Sequence, residues 1–460
     1  MIRLKKIVMM EVEGKEKYKK KLKSLRLSRL AIFLLFSFFV LFYIGLKSDY
    51  LIKTFIKYIC LGICIISLIL FIIFIIKYFK IKGIKLKAKR HILNVLTGLY
   101  CACCIAFLVV LYGPYNAFRE WLITTAMGTM THHYLCEIFY SEATIKIVLD
   151  NNTIEDLDED SDTSIIEDVE DEVVVTKDEK EWTKYEKQLF NKHTPDEIYR
   201  KIEFKVRGQR AFLIAVYEPK NVKVVCSKNI MHRGEMLVSM AKRTKALIAI
   251  NGGRFYDPNH WSNGGIPDGV TIMNGKIISD RDYSSPYGVI GINKQNKLVL
   301  YKNKKAKQIV KLGVRDAVTS KPFLIVNGKA AITKGNGGYG YAARTAIGQR
   351  KDGTMLLLVV ETNDARTIGA SMADLTKIFK NYGAINAAAL DGGTSSVLVE
   401  KGKMINDPIN DPFVHETRKI PTGFIVTKPN LVNEKNMKEL DSLKMWGLLD
   451  MVNDIKEDLK

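Results

Sequence analysis

Cysteine is scarce in this chain, with seven in 460 residues. Five of them, Cys60, Cys64, Cys101, Cys103 and Cys104, fall within apolar runs, where a thiol behaves as a small hydrophobe. Only Cys136 and Cys226 lie elsewhere, too few to staple a domain of this size with disulfides. The group Cys101-x-Cys103-Cys104 has no neighbouring His or acid to complete a metal site. Asp, Glu, Lys and Arg are absent from three long stretches, residues 30–46, 58–76 and 92–112. With no charge inside them there is nothing to mark a solute pathway, which argues against a transporter. A small-residue cleavage signal is also missing, and the runs are long and repeated, so a signal peptide does not fit. Ser395 and Ser396 lack the context of a nucleophile elbow and an evident His partner, which argues against a serine-hydrolase triad.

What is present first is positive charge, a net +21. Residues 1–29 supply +8 and residues 77–90 supply +7, leaving +6 for the rest. Both blocks flank the apolar runs, so the surplus reads as membrane topology and not as nucleic-acid binding. Three spans of this length cross a bilayer. The loop between the first two is short and weakly charged, which places the basic N-terminus in the cytoplasm and everything after about residue 113 outside it.

Beyond the spans, residues 114–149 keep helical character, with Phe118, Trp121, Leu122 and Met127 suited to the membrane interface. The pair His132-His133 reads as solvated or interfacial. Residues 150–181 turn strongly acidic and read as a solvated, extended linker. From 182 to 430 the pattern is a β-rich mixed α/β (α+β) domain with helices packed on the sheet, preceded by the all-α transmembrane segment of three helices. Asn274-Gly275, Asn327-Gly328 and Asp352-Gly353 separate apolar runs as hairpin turns do. One helix is expected over about 235–245. A second starts at Ser371, with Asp374 as its capping partner and Met372, Leu375, Ile378 and Phe379 facing the core. Residues 431–460 read as a charged amphipathic helix through Leu440, Leu443, Leu448, Met451 and Ile455.

Three glycine-rich turns stand out. They are Asn251-Gly252-Gly253-Arg254-Phe255-Tyr256-Asp257, Asn263-Gly264-Gly265-Ile266-Pro267-Asp268-Gly269 and Leu390-Asp391-Gly392-Gly393-Thr394-Ser395-Ser396. The first and third follow buried-strand patterns, 246–250 and 387–390. A strand, then a polar residue, then paired glycines places a side chain at a sheet edge and lets backbone approach a ligand. Paired glycines are also ordinary turn punctuation, and that reading stays open.

Together with Arg344-Thr345-Ala346-Ile347-Gly348, these stretches come in the order found in phosphodiester glycosidases, and residues 200–427 resemble that family. The membrane-anchored arrangement resembles its bacterial, exopolysaccharide-biosynthesis type. The resemblance implies removal of a sugar from a sugar-1-phosphodiester. Three positions depart from the family's usual run: Ala343 in place of Pro, Glu361-Thr362-Asn363 in place of Asp-Gly-Arg, and Ala389 in place of Asn.

Glycoside cleavage normally uses two carboxylates. Asp391, Glu361 and Asp257 sit beside the expected strand ends, with Asp268 and Asp364 behind them. Arg344 suits the departing phosphate, because guanidinium grips phosphate through two parallel bonds. Backbone N–H groups of Gly252, Gly253, Gly392 and Gly393 are candidate phosphate donors. Thr345, Thr394, Ser395 and Ser396 are candidates for phosphate or sugar hydroxyls, and Asn251 for an acyl-amino group or a water. Trp261 is a stacking candidate and His260 a candidate base. Asp257, Asp268, Glu361 and Asp391 are oxygen ligands for Ca²⁺ or Mg²⁺, although their spacing matches no metal motif. The expected partners are a phosphate-linked glycan or wall polymer and the membrane. A catalytically silent glycan-binding or scaffold protein on the same fold is the alternative.

Overall fold

The computed structural model describes residues 2–49, 54–82, 89–128, 133–155, 157, 159–168, 181–257, 262–281, 288–362, 369–408 and 417–428. They fall into two compact units, Met1–Asn151 and Asn152–Lys460. In the first unit, helices Ile2–Lys47, Thr54–Lys80 and Lys89–Tyr112 contain three stretches long and apolar enough to cross a membrane, Ile7–Lys47, Ile56–Lys80 and Ile92–Tyr112. The first helix runs on through the basic N-terminal block, where Glu11–Lys15, Glu13–Lys17 and Glu16–Lys20 pair one turn apart. Helices Asn116–Met127, Tyr134–Glu137 and Glu142–Asp150 follow, closed around buried Ile123, Cys136 and Tyr140. Ser141 caps the last of them by accepting the Thr144 N–H. His132 lies outside the described residues, and His133 precedes the short middle helix.

The second unit is built on an antiparallel seven-stranded sheet. Its order is Lys329–Ala330, Phe323–Val326, Ala384–Ala389, Arg344–Arg350, Met355–Val360, Gln209–Val216 and Tyr199–Val206. Strand Met355–Val360 is apolar at every position because both faces of the sheet are covered there. Met355, Leu357 and Val359 point into one core with Phe212, Ile214, Ile250 and Phe424. Leu356, Leu358 and Val360 point into the other, beneath helix Met372–Asn381. That helix has its N-cap at Ser371 and the reciprocal Asp374 bond. The other expected helix is shorter than the pattern suggested, Leu237–Arg243, because Glu235 pairs with Ile420 in a β-bridge instead.

A five-stranded sheet, ordered Lys403–Met404, Leu398–Glu400, Ile248–Asn251, Thr422–Val426, Val222–Cys226, joins the first core. A second five-stranded sheet runs Lys276–Asp280, Val270–Met273, Val314–Ser320, Gly288–Asn293, Leu298–Tyr301. The hairpins at Asn274-Gly275 and Asn327-Gly328 have positive φ at both residues, as two-residue primed turns require.

One expectation needs correcting. The acidic segment is not a free linker over its described residues. Ile154–Glu155 pairs with Ile332–Thr333, Ser161 is buried and exchanges hydrogen bonds with Leu300, and Asp160 pairs with Lys304 at 2.6 Å. The segment's acids meet a basic domain surface, which a composition reading of the segment alone does not contain. Residues 431–460 lie outside the described residues.

Candidate active site

Antiparallel pairing gathers the motif residues. Arg344 begins its strand opposite Val360, so Glu361 follows one step beyond. Ala346 pairs with Ala389, so Leu390 and Asp391 leave at the same end, with the Leu390 N–H bonded to the Thr345 carbonyl. On the neighbouring sheet Asn251 ends its strand beside Gly423. The two ends are joined where Asp391 N–H donates to Gly252 O at 3.1 Å.

Asn251 is fully buried and ties the corner together. Its Nδ2 donates to the Asp391 carbonyl at 2.7 Å. Its Oδ1 accepts the Thr345 hydroxyl at 2.6 Å and the Val397 N–H at 3.2 Å. The side chains of Asn251 and Thr345 thus position backbone, where the sequence reading had them meet substrate. Three of the glycine donors are committed too. Gly252 N–H goes to Thr422 O, Gly253 N–H to Thr422 Oγ1 and Gly393 N–H to Ala343 O. Glycine is required for close approach: a Cβ at Gly252 would lie 2.6 Å from Thr422 Oγ1, and one at Gly253 2.6 Å from Thr319 O.

Asp391 is the centre. Desolvation raises its pKa, and this outweighs the opposing pull of Arg254, the Ser395 hydroxyl, Arg418 and the Gly392 N–H. Arg344 is buried, with Nε bonded to Ala370 O at 3.1 Å and Nη2 to Tyr339 O at 2.6 Å and Gly340 O at 2.9 Å. Burial lowers its pKa to about 10, against the field of Tyr339 and Asp391, so it stays charged at neutral pH. Three carbonyls hold the guanidinium by Nε and Nη2, and its Nη1 lies on the Gly392 side, 3.5 Å from where a Cβ there would sit.

Asp257 is buried and accepts the Ser262 N–H at 3.0 Å, and Arg418 Nη2 sits 2.5 Å from its other oxygen. Burial alone would raise its pKa, but these hydrogen bonds lower it. Arg418 also stacks on Phe255, 4.7 Å from the ring centre, which fixes its plane. Glu361 is wholly buried, accepts the Asp407 N–H at 3.1 Å and lies 3.7 Å from Arg210; desolvation raises its pKa. Asp268 is buried nearby, its N–H bonded to Arg254 O at 3.0 Å. Thr394 is partly exposed, and Ser395 and Ser396 are buried. His260, Trp261, Asn363, Asp364 and Arg366 lie outside the described residues. Ala389 packs in the apolar core beneath helix Met372–Asn381, so that departure removes no group from the Asp391 surface. Among the described residues no group of three or more His, Cys, Asp or Glu is gathered for a metal.

Two residues escaped the sequence reading. Arg254 sat inside a quoted motif but was passed over for its glycines. Arg418 lies in an unremarkable stretch, and only the pairing of Thr422–Val426 with Ile248–Asn251 brings it in. With Arg344 they put three guanidinium groups in the field of Asp391. Such a surface is suited to an anion with two free oxygens.

A 181-residue stretch is 30% identical to the SPbeta prophage-derived uncharacterized protein YomE of Bacillus subtilis (strain 168), covering 38% of this chain and 27% of that relative's length. The zebrafish N-acetylglucosamine-1-phosphodiester alpha-N-acetylglucosaminidase catalytic domain, auto-inhibited by its pro-peptide, superposes with a TM-score of 0.43 at 23% identity, over 52% of this chain and 86% of that one. A putative exported protein from Burkholderia pseudomallei K96243 gives 0.36 at 14%, over 48% and 74%. Residues 244–427 match the family model for phosphodiester glycosidase.

Proposed function

We propose that this chain is a membrane-anchored, extracytoplasmic hydrolase that splits a sugar from a sugar-1-phosphodiester in cell-envelope glycan. The observation that carries the reading is Asp391, a carboxylate of raised pKa in the field of Arg254, Arg344 and Arg418. The three cations suit the diester phosphate, and the carboxylate suits the reacting sugar carbon beside it.

In the step itself, water attacks the anomeric carbon and the C1–O bond breaks. The bonding pair stays on the phosphate oxygen, giving a free sugar and a phosphomonoester. The guanidinium groups stabilise the growing phosphate charge in a water-poor setting. Asp391 takes the proton of the attacking water, a role its raised pKa favours. Glu361 is the second carboxylate of the pair and Asp257 holds Arg418 in place. Outward placement rests on the basic residues flanking the three spans.

The test is to purify the full chain in detergent and assay chromogenic sugar phosphodiesters and purified wall polymer, with and without EDTA. Free sugar and phosphomonoester, lost in Asp391→Ala, are expected. Saturable polymer binding without turnover would sink the hydrolase and leave a glycan-binding module.

A further inference from the structure

The residual charge of +6 outside the two membrane-flanking blocks conceals a sharp division. Residues 150–180 hold 14 Asp and Glu against two Lys, whereas residues 181–428 hold 40 Lys and Arg against 21 Asp and Glu, a net +19. Part of that surplus is met by the acidic segment, through Asp160–Lys304, Glu159–Lys329, Asp168–Lys297 and Glu167–Lys351. These contacts lie at the Gln349–Lys351 end of the long sheet, whereas Arg344 and Asp391 lie at the other.

At that end the chain alternates. Phe255 and Asp257 are buried, and Tyr256 between them is 44% exposed. The exposed guanidinium of Arg281 sits over the Tyr256 ring, 5.4 Å from its centre. Backbone ties the pair to the site: Tyr256 N–H bonds Ile266 O, Arg254 N–H bonds Thr319 O, and the Thr319 hydroxyl bonds both N–H and C=O of Val270, which pairs with Asp280. A part-exposed tyrosine ring with an exposed guanidinium over it puts an apolar surface and a cation side by side, as a sugar followed by a phosphate requires.

Resting on the proposed activity, we propose that Tyr256 and Arg281 form an outer subsite that takes the next sugar–phosphate unit of a polymer, so that the substrate is a repeating anionic glycan and not a small sugar phosphodiester. A long polyanion also uses the domain's +19, which a single diester does not.

The experiment compares the full chain with Tyr256→Ala and Arg281→Gln on two probes, a chromogenic monomeric sugar phosphodiester and a purified wall polymer of repeating sugar–phosphodiester units. Expected is a rise of roughly tenfold in KM for polymer in each variant, with kcat/KM for the monomer unchanged. Equal losses on both probes, or no loss on polymer, would overturn the subsite. Polymer affinity is also measured by co-sedimentation, with duplex DNA of matched phosphate count as competitor. If the wild type turns over neither probe, the hydrolase reading fails, while Arg281-dependent polymer binding would still support the subsite. If DNA binds as tightly and Arg281→Gln weakens both alike, the surface reads charge alone and the glycan assignment falls.

Discussion

Asn251 Nδ2 donates to the backbone carbonyl of Asp391 across 2.7 Å, binding the end of one sheet to the glycine-rich turn that leaves another. Its Oδ1 takes two further donors, so both lone pairs of the oxygen are used. Asn251→Ala therefore orphans three buried groups. A loss of about 2–5 kcal/mol is expected, at roughly 1–3 kcal/mol for an unsatisfied buried group with partial relaxation. Chemical denaturation measures it. If stability is unchanged while activity falls, Asn251 contacts substrate and the positioning role is wrong.

Asp391 and Asp257 should respond to pH in opposite senses. The folded-state pKa of Asp391 lies above its ordinary 3.8, so its ionised form costs stability above that folded pKa. Asp391→Asn should abolish turnover and raise Tm at pH 7, the gain vanishing as pH falls toward 3.8. The folded-state pKa of Asp257 lies below 3.8, so its stabilisation is complete above the unfolded value and is lost as pH falls through the folded one. Asp257→Asn should lower Tm at pH 7 and matter least in acid. Melting curves from pH 3 to 8 decide both, and the same sign for the two variants would refute the electrostatic account.

Arg418→Met removes one of the guanidinium groups proposed to meet phosphate and leaves Asp257 buried without its partner. A fall in kcat/KM of about a hundredfold is expected, comparable with loss of one preorganised donor. Arg254→Met should behave alike. Full activity in both would move the phosphate elsewhere.

Arg344 is held by three backbone carbonyls, a geometry that a lysine ammonium cannot copy. Arg344→Lys should fold with a modest drop in Tm and lose most activity. Wild-type kcat/KM in that variant would show that only the charge matters.

The acidic segment is expected to stabilise the domain. Ser161→Ala leaves the buried Leu300 N–H without its acceptor, at a cost of about 1–3 kcal/mol. Asp160→Asn should cost less, since its pair with Lys304 is partly exposed, and the cost should fade in high salt. A free linker would show neither effect in urea titrations.

Local signals carried much of the architecture. Apolar runs longer than a bilayer, Asn-Gly turns, and the Ser371-to-Asp374 spacing each depend on residues close in sequence, so the spans, hairpins and capped helix were legible. The unbroken apolar run Met355–Val360 likewise reported a strand covered on both faces. The glycine pairs marked a corner where backbone is closely approached, because a missing Cβ is a local requirement. What each polar group does there was decided by partners far away in sequence. Asn251 and Thr345 look like substrate contacts until strand register aims them at each other, 94 residues apart. Arg418 has no local mark at all, and only strand pairing brings it to Asp257, while the acidic segment reads as solvated until Lys304 and Leu300 are set beneath it. Burial and long-range pairing set the pKa of Asp391, and neither exists in the unfolded chain.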